Sequence, residues 1–207
     1  MLEDIKFPQS WDEIPIKVWK ELNSVQSEYE STKTIERMAI ITDTDPEWIR
    51  SLSFAQFNKF QSNLTFLNSS ITNEVKTTFT LGRKEYGMIP HLDLISAGEW
   101  IDAENWKDKP IDNIHLYAAL MYRPILKKDE DGYEIEPHTV NGFMSRAEKF
   151  DNELPITTIY GSVLFFSALG IVSMESITAF LELQQNQVKK KKTRKTQTRP
   201  HTKKRNK

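Results

Sequence analysis

The sequence predicts an α+β fold that is mainly helical: a helical N-terminal unit, a small antiparallel sheet, a helical C-terminal half and a disordered basic tail. Three observations predict it. Hydroxyl or carboxylate residues recur just ahead of apolar residues spaced three and four apart, which is how capped amphipathic helices begin. After Asn68-Ser69-Ser70 the pattern changes to alternation, the period of a half-buried strand. The last stretch, 189–207, has no acid and almost no apolar side chain, so it cannot bury enough surface to offset the entropy of ordering.

The elements follow in order. Ser10-Trp11-Asp12-Glu13 has capping-box spacing, and Pro15 suits a first helical turn. Ile14, Val18, Leu22 and Val25 then share one face. A second short helix is expected over Ile35 to Ile41. Asp45-Pro46-Glu47 reads as cap, first position and first-turn acid of a third. Ser53-Phe54-Ala55-Gln56 is another capping box, opening a helix with Phe57, Phe60, Leu64 and Leu67 on one side.

Val75, Thr77, Phe79 and Leu81 predict a strand, Gly82-Arg83 a turn, and Glu85 to Ile89 its partner, broken at Pro90. Ser96-Ala97-Gly98-Glu99 caps a helix through Trp100 and Ile101. A helix is expected from Ile111 to Tyr122, stopped by Pro124. Ile125-Leu126 and Tyr133-Glu134-Ile135, joined through an Asp-Gly turn, predict a small ribbon. Val140 to Phe150, Ile156 to Leu169 and Met174 to Val188 complete the helices.

The chain has 207 residues and no cysteine, which excludes disulfides, thiolate zinc sites and thiol nucleophiles and suits a reducing cytoplasm. The net charge of -1 conceals a division. Residues 189–207 carry eleven of the twenty-eight Lys/Arg, leaving seventeen against all twenty-nine Asp/Glu in residues 1–188. With no linker-like stretch inside it, 1–188 reads as a single acidic, mainly helical domain and 189–207 as the tail. An acidic body repels nucleic acid and anionic membrane. Binding to nucleic acid or to an acidic partner therefore falls to Lys189, Lys190, Lys191, Lys192, Arg194, Lys195, Arg199, Lys203, Lys204 and Arg205. No secretion signal is apparent at the acidic N-terminus. Ile156 to Met174 lacks charge, but its glycines and hydroxyls favour a buried core helix over a membrane span.

Motifs of catalysis are missing. His91, His115, His138 and His201 share no three- or four-residue spacing, so they offer no local metal pair. His91-Leu92-Asp93 reads as a surface histidine before it reads as a general base. Asp129-Glu130-Asp131-Gly132 reads as a hairpin turn and lacks the alternating oxygen ligands of a calcium loop. The glycines form no phosphate-cradling loop, and no serine lies in a nucleophile frame. No cofactor, metal or small-molecule substrate is expected. Buried ionisable groups converging in a deep cleft would speak against this non-enzymatic reading. Trp11, Trp19, Trp48, Trp100 and Trp106 lie on or beside predicted helices, mostly as core anchors.

Four phrases carry a resemblance: residues 7–14 (FPQSWDEI), 96–102 (SAGEWID), 117–124 (YAALMYRP) and 161–166 (GSVLFF). In layout and in these phrases the chain resembles small structural-cluster proteins of tailed bacteriophages, of the kind labelled tail assembly chaperones. The resemblance spans most of residues 7–185 and excludes the basic tail. It implies a non-enzymatic factor that binds a virion tail component in the host cytoplasm before assembly.

Overall fold

The computed structural model describes residues 5–91, 94–130 and 132–166. The tail residues, the expected boundary at 188 and the expected helix Met174 to Val188 lie outside them. Met1–Leu164 forms one compact unit. Of a second, Phe165–Lys207, only Phe165 and Phe166 are described. The fold is α+β and mainly helical, with one four-stranded antiparallel sheet.

Of the N-terminal helices, those after Asp45 and Ser53 begin where the caps place them. Ser10 accepts from the Asp12 amide, but it opens only a 3-10 turn, Trp11–Glu13. Glu13 reaches back to the Gln9 amide, so the expected reciprocal box does not close. Helix α1 (Ile16–Ser24) starts after Pro15 and buries Ile16, Trp19 and Leu22. Helix α2 (Glu30–Thr42) is longer than its apolar residues alone predicted. Helix α3 (Pro46–Arg50) is capped by Asp45, and α4 (Phe54–Ser62) by a complete Ser53–Gln56 box. Met38, Ala39, Ile49, Phe60 and Leu64 form the core shared by these helices.

Strands β1 (Thr78–Leu81) and β2 (Lys84–Met88) form a hairpin around Gly82, whose φ of 63° suits a residue without Cβ. Helix α5 (Ala97–Asn105) follows, and α6 (Ile114–Met121) buries six of its eight residues. The expected helix to Tyr122 ends one residue early, and Pro124 does not end it. The chain passes from Met121 directly into strand β3 (Tyr122–Asp129). Pairing with β2 at Tyr122, Arg123 and Pro124 claims these residues for the sheet. The Pro124 carbonyl accepts from the Glu136 amide, just beyond strand β4 (Gly132–Ile135). The missing proline N–H points to the same side, where the β3–β4 ladder has run out. One long strand thus joins two hairpins in the order β1-β2-β3-β4, with a bulge at Leu126.

Helix α7 (Val140–Glu153) packs on the sheet through Phe150, whose ring meets Phe79 and Tyr86 at 5.6 and 5.0 Å. A last helix, α8 (156–166), is described up to Phe166. Pro15 and Pro155 form an isolated antiparallel bridge, with Ile16 donating to Leu154 and Ile156 to Ile14. The starts of α1 and α8 satisfy each other's backbone there. Among the described residues no helix is long and apolar enough to cross a membrane. Of the expected uncharged helix, 167–174 lies outside the described set.

Candidate functional site

The site is built from the start of α5. Ser96 and Glu99 close a reciprocal box: the Glu99 amide donates to Ser96 Oγ, and Glu99 Oε2 accepts from the Ser96 amide and hydroxyl at 2.9 and 2.8 Å. The sequence foretells this half. The other carboxylate oxygen does what the cap alone does not predict. Oε1 accepts from Arg123 Nη2 at 2.5 Å, and His138 Nδ1 lies 2.9 Å away. Glu99 and Arg123 are 5% and 4% exposed, so this is a buried ion pair.

Arg146 of α7 lies behind it and is also buried. Its Nε donates to the Ala119 carbonyl and its Nη1 to the Gly142 carbonyl, at 2.9 and 3.2 Å. Ala119 is in the last turn of α6, where carbonyls lack helical partners and a cation is favoured by the dipole. Burial, and then the neighbouring Arg123 charge, pull the Arg146 guanidinium down to about 10. Glu136 and Glu99 act in the opposite direction. Among the described residues Arg146 Nη2 and Arg123 Nε find no acceptor.

In front of the cluster, α5, α6, α7 and the segment before α7 enclose a pocket of about 290 Å³. Its walls include Trp106, Leu116, Leu120 and Phe143, and Val140 and Met144 also line it. Trp106 stacks on Phe143 with centroids 5.9 Å apart and planes 7° from parallel. Its edge meets Tyr117, whose hydroxyl donates to the Ala103 carbonyl in the last turn of α5. Val140 and Met144 are 71% and 55% exposed. The polar lining groups are Glu99, Asp102 and His138. Glu99, Asp102 and Trp106 are spaced by three and four, one stripe of α5.

Buried ionisable groups therefore do converge here, which the sequence did not foresee. They are spent on one another, however. Both Glu99 oxygens are engaged, and the two guanidiniums turn to Glu99 and to backbone carbonyls. The visible signal was Arg123, a charge adjoining the apolar run Leu116–Tyr122. Only its pairing with β2 brings it to Glu99.

A larger pocket, about 420 Å³, lies on the N-terminal helices. Its rim holds Thr34, Arg37, Asn58, Gln61 and Asn68, with Met38 and Leu64 beneath. Lys20, His115 and Asp151 form a separate cluster between α1, α6 and α7, with Lys20 Nζ 2.9 Å from Asp151 Oδ2 and 3.3 Å from His115 Nδ1. Among the described residues no group of three acids or histidines is placed to hold a metal ion. His91 is exposed, while Leu92 and Asp93 lie outside the described set. Of the tryptophans only Trp19 is buried. Trp11, Trp48, Trp100 and Trp106 are half-buried, as is common for a side chain this large. The ten candidate binding residues of the tail, Lys189 to Arg205, fall outside the described residues, as does Lys207.

Comparison with family models, curated proteins and solved structures finds no match.

Proposed function

We propose that the chain is a non-enzymatic phage assembly factor that holds a tail component before assembly, through the face around Val140 and Met144. One observation carries this reading: two strongly exposed apolar side chains stand at a preformed apolar pocket. A soluble surface rarely spends large apolar residues beside a concavity unless something is seated there. Beside the pocket Glu99 is engaged through both oxygens, by its own helix start and by Arg123, and this buried pairing supplies rigidity to the face. The acidic surplus of residues 1–188 discourages stray binding to nucleic acid, as an assembly factor requires.

The test is co-purification with a tape-measure or tail-tube protein. Replacing Val140 and Met144 with Asp is expected to weaken capture at least tenfold, about 1.4 kcal/mol, with the thermal melt little changed because both side chains are exposed. The factor is expected to be missing from finished particles. Stoichiometric recovery inside virions would overturn the chaperone role.

The basic run of residues 189–207 supports a second reading, binding of nucleic acid or packaging in the virion through the tail. Deleting 189–207 is then expected to abolish DNA and RNA binding, and the affinity of the intact chain is expected to fall steeply with salt. Unchanged affinity after deletion would end that reading.

A further inference from the structure

We infer that the pocket between α5, α6 and α7 selects a partner side chain with an apolar stem and a cationic head, a lysine or arginine. The inference rests on the reading of this face as a partner surface. Walls of Trp106, Phe143, Leu116 and Leu120 suit a hydrocarbon stem.

Charge decides the head. Among the described residues Asp102 makes no hydrogen bond or ion pair. It lies one turn beyond Glu99 on the stripe that faces the pocket. Around the site three carboxylates, Glu99, Glu136 and Asp102, stand against two guanidiniums, Arg123 and Arg146. The guanidiniums do not line the pocket, and their bonds run to Glu99 and to the Ala119 and Gly142 carbonyls. An anionic head would meet the Asp102 carboxylate, and the one lining side chain able to carry positive charge, His138, already faces Glu99 at 2.9 Å. A cationic head would complete the set, as a lysine or arginine does when its stem lies along apolar surface.

Three probes that differ only at the head separate the possibilities: phenethylamine, 3-phenylpropanol and 3-phenylpropionate. Each is titrated into the full chain while the Met144 methyl is followed by NMR. The amine is expected to shift that methyl with an affinity about tenfold above the alcohol, and the acid is expected to bind weakest. Asp102→Asn, an exposed and fold-neutral change, is expected to bring the amine down to the alcohol. Equal affinity of amine and alcohol, stronger binding of the acid, a preference that survives D102N, or no shift with any probe would each overturn the cationic anchor. The Val140 and Met144 replacements judge the other reading separately. If they abolish capture of the tail component while the probes show no amine preference, the partner surface stands and its cationic anchor falls.

Discussion

Glu99 satisfies a helix start with one oxygen and a buried arginine with the other, so one residue carries both a local and a long-range duty. Removing it leaves Arg123 buried without its counter-charge, which is far more costly than the net worth of the pair. Glu99→Ala is expected to lower unfolding stability by about 3–5 kcal/mol, read by chemical denaturation. Gly161 makes a different kind of demand. A Cβ there would enter the backbone of Asn73 and Glu74, which α8 crosses at close range. Gly161→Ala is expected to destabilise by about 1–3 kcal/mol, because backbone cannot move aside as a flexible side chain can. Tyr122 is the third such residue. Its hydroxyl meets both the Lys76 carbonyl and Ser162 Oγ, and burial pushes it up to about 12. It stays protonated at any physiological pH and acts as a fixed donor.

At the scale of elements, the passage from α6 into β3 without a loop is the decisive feature. Apolar residues on every side made Leu116–Tyr122 readable as buried helix, but the same composition suits a buried strand. Where helix gives way to strand is decided by β2, which pairs with Tyr122, Arg123 and Pro124. The β2–β4 relation depends on Gly87, over which the Tyr133 ring lies as its hydroxyl reaches the Met88 carbonyl. Gly87→Ala is expected to displace that ring and cost about 1–3 kcal/mol, visible as a lower melting temperature and altered Tyr133 ring shifts. The caps of α3, α4 and α5 needed no tertiary help and appear where the sequence put them.

Across Met1–Leu164, long-range polar contacts fasten the helical layers. Lys20, His115 and Asp151 join α1, α6 and α7, and burial followed by the Lys20 charge holds the His115 imidazole below its ordinary value of 6.5. The unfolded chain therefore binds the His115 proton more readily than the folded one. This contribution is fully present above pH 6.5 and is lost as pH falls below it towards the depressed folded value. Thermal melts are expected to hold steady down to that pH and then decline, and His115→Gln is expected to remove part of the decline. A decline unchanged in that variant would place its origin elsewhere.

By itself the sequence determined the fold class, the caps of α3, α4 and α5, the turn at Gly82 and the separation of charge between body and tail. All of these are local, set by residues within a few positions of one another or by composition. Only the tertiary structure decided that β3 links the two hairpins, that Glu99 meets Arg123 and His138, and that Val140 and Met144 stand beside a pocket. Those facts depend on residues such as Glu99 and Arg123, twenty-four positions apart, whose meeting no periodicity encodes. A sheet register and the packing of α5 and α7 about α6 bring them together.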